Sequence, residues 1–283
     1  ILYLQDEAGE ENTHVYRITV ETGEVLDLTP FPGVKAYVSA TDRDQPGRVL
    51  IDMNKDNRMF FDVYSCDLET GELEMVMDNT GFTADGDMIV GFSTDEDMNV
   101  RLQVTIDPDN GDMTVHHRWT ADSPWEVLKS YPGQDQWFPD RFDKEGTALF
   151  VRSNLDRDKT ALFRYDIASR TETLITGSDT SDIGSVLYDP STGEPVMASY
   201  YYLRRSLEVL DPSIRADMDF LQGHREGDLS VISRDSSNTL WIVAYNTIDN
   251  PAVYYLYDRN SMEARELFTA IPALEDYSLR PME

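Results

Sequence analysis

Val15-Tyr16-Arg17-Ile18-Thr19-Val20-Glu21-Thr22-Gly23-Glu24 reads as a strand running into a tight turn. The same pattern returns 48 residues later as Val63-Tyr64-Ser65-Cys66-Asp67-Leu68-Glu69-Thr70-Gly71-Glu72. In both, an aromatic residue among strand formers precedes Glu-Thr-Gly-Glu, whose glycine suits a left-handed turn position. Weaker copies align Phe163 before Asp166, Glu208 before Asp211 and Tyr255 before Asp258, with a degenerate copy at His116. The anchors Tyr16, Tyr64, His116, Phe163, Glu208 and Tyr255 therefore recur every 45 to 52 residues.

The second unit shows what one repeat contains. Four strands are predicted, Lys35 to Thr41, Arg48 to Asn54, Phe61 to Asp67 and Glu72 to Asp78, separated by Asp42-Arg43-Asp44-Gln45-Pro46-Gly47, Lys55-Asp56-Asn57 and Glu69-Thr70-Gly71. The last unit repeats the scheme with Leu229 to Arg234, Leu240 to Tyr245, Ala252 to Asp258 and Ala264 to Phe268. A lone four-stranded sheet cannot bury both faces, and radial stacking of such sheets gives a propeller. The expected fold is all-β: a β-propeller of four-stranded antiparallel blades, six of them visible. The first is incomplete, because Ile1 to Leu4 already matches the second strand of its unit, and a seventh blade is expected in the parent protein. Helical solenoids share the period but need long 3.6-residue patterns, and only Pro212 to Gln222 has one. There Asp211 is a natural N-cap, Pro212 opens the helix, and Ile214, Met218 and Leu221 share a face. It reads as a single insertion covering a blade edge.

Among 283 residues, 53 acidic against 24 basic side chains leave a net charge of -29. Such a surface repels phosphate backbones, and the one adjacent basic pair of note is Arg204-Arg205, so nucleic acid is excluded as a partner. No apolar run is long enough to span a bilayer, so no membrane partner is expected either. The single cysteine, Cys66, rules out an internal disulfide and reads as a buried, inert thiol. The cytoplasm is the favoured compartment, although the chain lacks an initiator Met and any signal would have been lost with the segment before it.

Catalytic apparatus is not expected within the chain. No Gly-x-Ser-x-Gly elbow occurs, and none of His14, His116, His117 and His224 sits beside a credible nucleophile. Asp107-Pro108-Asp109-Asn110-Gly111-Asp112 resembles a calcium loop but has Arg118 where the closing Glu would stand, so it reads as a hairpin turn. Asp42-Arg43-Asp44, Asp95-Glu96-Asp97 and Asp156-Arg157-Asp158 are weaker versions of that pattern. His116 and His117 are adjacent on a strand and point to opposite faces, which prevents both from ligating one zinc. No catalytic, cofactor-binding or metal-binding residue is assigned, and no cofactor is expected. Tyr200-Tyr201-Tyr202 and Tyr254-Tyr255 alternate faces, so part of each cluster packs inward while its outer members, with Arg204 and Arg205, remain free to meet a peptide or a neighbouring domain.

His14-Val15-Tyr16-Arg17 through Glu24, Leu28-Thr29-Pro30, Phe61-Asp62-Val63-Tyr64, Val231-Ile232-Ser233-Arg234-Asp235, Trp241-Ile242-Val243-Ala244-Tyr245 and Tyr254-Tyr255-Leu256-Tyr257-Asp258 resemble the propeller of prolyl oligopeptidase-family serine peptidases, of the acylaminoacyl-peptidase type. The resemblance implies that residues 1–283 form one N-terminal propeller domain capping a C-terminal α/β-hydrolase domain of the same parent chain. It also implies short peptides as substrates, and Leu279-Arg280-Pro281-Met282-Glu283 looks like the junction to that domain. The acidic pair that some dipeptidyl peptidases place on a propeller helix has no counterpart, since Glu10-Glu11 is predicted in a hairpin turn. The expected role is a non-catalytic gate that selects short peptides. A free-standing protein-binding scaffold is the alternative, and a carbohydrate-active propeller ranks behind both.

Overall fold

Strand boundaries fall where the turn residues and the alternation of side chains place them. In the computed structural model, which describes residues 1–274, 277, 279 and 280, the chain forms six β-meanders, each joining consecutive strands. Sheet one holds β1 (Leu2–Gln5), β2 (His14–Ile18) and β3 (Val25–Asp27). Sheet two holds β4 (Ala36–Thr41), β5 (Arg48–Met53), β6 (Asp62–Asp67) and β7 (Leu73–Met77). Sheet three holds β8 (Met88–Thr94), β9 (Val100–Ile106), β10 (Met113–His117) and β11 (Glu126–Tyr131). Sheet four is β12 (Trp137–Phe142), β13 (Ala148–Ser153), β14 (Ala161–Asp166) and β15 (Thr171–Gly177). Sheet five is β16 (Ile183–Tyr188), β17 (Pro195–Tyr202) and β18 (Arg204–Val209). A short 3-10 turn, Pro212–Ile214, then leads into α1 (Arg215–His224). Sheet six is β19 (Asp228–Arg234), β20 (Leu240–Asn246), β21 (Val253–Asp258) and β22 (Glu263–Thr269). The class is all-β, with antiparallel blades in a propeller arrangement and one short α-helix.

The anchors explain the period. Tyr64, His116, Phe163, Glu208 and Tyr255 each lie on the third strand of their sheet, and Tyr16 lies on the strand that would be third in a first sheet lacking its opening strand. The Asp-x-x-Ser/Thr signature that follows closes the hairpin. Asp67 Oδ1 accepts from the Glu69 amide at 2.9 Å, the Thr70 amide at 2.8 Å and Thr70 Oγ1 at 2.9 Å, while Gly71 takes φ 76°. Asp166 does the same for Ser169, and Asp189 for Ser191 and Thr192. Side-chain bonds of this kind offer the chain a turn in place of continued pairing.

Sheet five departs from the four-strand rule: its chain turns helical after β18 instead of adding a fourth strand. Asp211 caps the turn as predicted, accepting from the Ser213 amide at 2.8 Å. Ile214, Met218 and Leu221 are buried in a cluster with Val196, Met197, Trp241, Val243 and Tyr257, so the helix covers apolar surface of sheets five and six.

The chain divides into two compact units, Ile1–Leu155 with Phe163–Thr173, and Asp156–Leu162 with the residues from Leu174 onward. In the first unit, Val15, Leu28, Ala36, Val49, Ile51, Met53 and Tyr64 form one core cluster, and Leu102, Val115, Trp137, Phe142, Val151 and Tyr165 form another. The second unit is organised around the helix-covered cluster. Among the described residues no helix is long and apolar enough to cross a membrane. Of the tail read as a junction, Pro281 to Glu283 lie outside the described residues.

Candidate functional site

Strand register gathers a set of polar side chains at one edge of sheet one. β2 pairs antiparallel with both neighbours, so Tyr3, Tyr16 and Asp27 stand side by side, with Gln5 opposite His14. The period-two alternation of a strand then puts His14 on the same face as Tyr16. Tyr3 and Tyr16 stack at 5.2 Å between ring centroids, and His14 Nδ1 lies 2.9 Å from Asp27 Oδ2. Burial, and next the Asp27 charge, push the Tyr16 hydroxyl above its ordinary pKa. These groups floor a cleft of about 380 Å³ walled by Glu7 and Glu10 from the β1–β2 loop and by Pro30, Pro32 and Gly33 beyond β3. Glu10-Glu11 lies in that hairpin loop, as predicted. Glu10 lines the cleft, while Glu11 adopts φ 65° and its amide donates to Asp6 Oδ2 at 3.0 Å. Three carboxylates around one concavity make a negative potential that draws cationic groups.

A second, smaller cleft of about 190 Å³ opens among sheets two, three and four. Ser39, Asp52, Phe92, Thr94 and Asp140 line it. Asp52 is 8% exposed, and burial raises its carboxyl pKa, an effect that hydrogen bonds from Ser39 and Tyr37 oppose. Asp140 is held by Arg152, whose Nε donates at 2.8 Å.

The remaining residues weighed from sequence have structural partners. His116 and His117 do point apart: His116 Nε2 meets Thr105 Oγ1 at 3.1 Å, whereas His117 Nε2 meets an Arg101 guanidinium nitrogen at 2.8 Å. Burial, then the Arg101 charge, lowers the His117 pKa to about 4, which keeps its imidazole neutral at physiological pH. His224 packs among Phe220, Tyr245 and Tyr255. Cys66 is fully buried, and burial lifts its thiol to about 11, the opposite of an activated nucleophile. In the Asp107 loop the acceptors turn onto their own backbone, with Asp107 Oδ1 taking the Asp109 amide at 2.8 Å and Asn110 Oδ1 the Asp112 amide at 2.7 Å. That is the predicted hairpin turn. Among the described residues no three His, Cys, Asp or Glu side chains gather as a metal site. Tyr200 is buried and meets Thr176 Oγ1 at 2.9 Å, while Tyr201, Tyr202 and Leu203 stand exposed at the hairpin tip.

Sequence reading missed both clefts. Their members come from different strands and loops, and the one local signal was His14 two residues from Tyr16, which only the register with Asp27 converts into a site.

No protein-family model matches the chain. Over 283 residues, 99% of the chain, it is 35% identical to dipeptidyl aminopeptidase BIII of Pseudoxanthomonas mexicana, covering 40% of that protein. It is 26% identical to dipeptidyl peptidase family member 6 of Caenorhabditis elegans over 99% of the chain and 39% of that protein. The chain thus spans about two fifths of the curated relatives it matches. Among solved structures, a puromycin-hydrolyzing peptidase from Mycobacterium tuberculosis shares the fold with a TM-score of 0.56 at 12% identity, over 97% of this chain and 45% of the other. Its meanders, its repeat and these relatives identify the chain as a β-propeller homologous along its whole length to part of a dipeptidyl aminopeptidase.

Proposed function

We propose that the chain is the non-catalytic propeller of a serine peptidase, gating and selecting short peptides for a C-terminal α/β-hydrolase domain of the same parent chain. The observation that carries this reading is the end-to-end homology to a peptidase more than twice as long. Nucleophile, base and oxyanion hole would reside in the partner domain, and the propeller would contribute exclusion of bulky substrates and an acidic approach for short ones. The locked imidazoles and the elevated thiol agree with this division of labour.

The test has two arms. The chain alone should leave chromogenic peptide substrates uncleaved, and appreciable turnover would overturn the reading. The full reading frame should contain a Gly-x-Ser-x-Gly elbow downstream, and its product should cleave short peptides while sparing folded proteins. Comparing acyl-blocked with free dipeptidyl substrates then decides between the acylaminoacyl and dipeptidyl types. A scaffold role is the second reading, favoured by the exposed Tyr201, Tyr202 and Leu203 tip. A stop codon shortly after Glu283 would select it.

A further inference from the structure

The cleft at Asp52 holds a feature that the fold does not require. In the other sheets whose register is defined, the position matching Asp52 on the strand before the anchor is Leu4, Val104, Ser199 or Ala244, each opposite the residue just before the anchor. Sheet two alone among these places a carboxylate there. Packing accepts an apolar or small residue at that point, so Asp52 is not demanded by blade geometry.

Its electrostatics are also unfinished. Asp52 is 8% exposed, and its Oδ1 has no hydrogen-bond partner. A buried acceptor left without a donor forfeits its hydration with nothing in return, the more so when charged, and such atoms call for a ligand or another explanation. The carboxyl lies in the wall of a cleft that also presents the hydroxyl-bearing Ser39, Ser93 and Thr94. Val63 and Phe92 supply an apolar side to the same cleft. Asp140 is already engaged by Arg152, and the Ser39 and Tyr37 hydroxyls donate to the Asp52 carboxyl, so Asp52 Oδ1 is the acceptor still open to a ligand.

From this arrangement we infer that the Asp52 cleft binds a primary ammonium group. Such a group brings three N–H donors and one positive charge, matching one carboxylate oxygen and neighbouring hydroxyls. The cleft, about 190 Å³, is larger than a bare ion needs, and its apolar wall fits the attached alkyl carbons, with Phe92 available for cation–π contact. A divalent metal is a poor match, because it would need more oxygen ligands carrying charge. The inference does not depend on the peptidase reading. A peptide amino terminus and a lysine side chain both present this chemistry.

The experiment titrates the full chain with methylammonium chloride while following the methyl resonances of Val63 by NMR, with sodium chloride and tetramethylammonium chloride at equal ionic strength as controls. Saturable movement with methylammonium alone is expected, and D52N should weaken it roughly tenfold or more, the loss of one charge-assisted hydrogen bond. Should D52N fail to fold, S93A is the second variant and should weaken binding several-fold. Glycinamide and N-acetyl-lysine methylamide then separate the two sources, the tighter of them naming the natural ligand. Equal shifts with sodium or tetramethylammonium, unmoved Val63 methyls, or a folded D52N binding as wild type would each overturn the inference.

Discussion

Sheets two and six obey one register but spend it differently. Val49 faces Cys66 and Ile51 faces Tyr64 in sheet two; at the same positions in sheet six Trp241 faces Tyr257 and Val243 faces Tyr255. The sixth sheet is thus the aromatic version of an aliphatic design, and larger rings bring polar atoms into the core. Each of those atoms is matched. Tyr245 donates to the Leu221 carbonyl at 2.6 Å and Tyr257 to Asp217 Oδ1 at 2.9 Å, while Arg259 Nε reaches Asp217 Oδ2 at 3.1 Å. Helix α1 supplies both acceptors. Sheet two buries a carboxyl at Asp52 and leaves one oxygen unmatched. Satisfied burial marks structure, and unsatisfied burial marks a candidate site.

The comparison can be broken at its most heavily packed point. Trp241 is fully buried in the helix-covered cluster, and W241A should cost about 3–5 kcal/mol in urea denaturation. A cost below about 1 kcal/mol would show that the aromatic core is not what holds sheet six. Next in size, D217A strands the Tyr257 hydroxyl and the Arg259 guanidinium. Arg259 is 23% exposed and partly rehydrates, so about 2–3 kcal/mol is expected instead of the full cost of a buried broken pair.

D52N should reverse the trend, lying within about 1 kcal/mol of wild type or above it, because it removes a buried charge without removing a partner. Burial raises the folded-state pKa of Asp52 above its unfolded value, so folding penalises its charged form. Its contribution to stability is fully present below its ordinary value of 3.8 and is lost as pH rises through the higher folded value. Wild type should therefore lose stability relative to D52N as pH climbs from that window toward neutrality, and parallel pH profiles would refute the assignment. The smallest effect concerns Cys66. Its thiol should react with a disulfide reagent only as fast as sheet two opens, so added denaturant, not added base, should accelerate labelling.

Much of the fold was legible because it is local. Each strand of sheet two lies within a residue or two of its predicted span, since Asp67, Thr70 and Gly71 write their turn chemically and apolar residues of β5 and β6 write their burial. Asp211 and Pro212 announced the helix for the same reason. That α1 would replace a fourth strand was not legible, because the choice rests on Tyr245 and Tyr257 more than twenty residues further on. The clefts were hidden for a stronger version of that cause. Ser39, Thr94 and Asp140 belong to three sheets, and the pairing of His14 with Asp27 depends on a strand register that spacing alone does not reveal.

The sequential pairing of strands has a consequence for biosynthesis. Sheet two is complete once Met77 has left the ribosome, about forty residues after Ala36 emerged, and no later strand is needed to finish its ladder. Blades of this kind can pair their own strands in order during translation, so the ladder of sheet two forms without waiting for the four sheets that follow it, while burial of its faces waits for its neighbours.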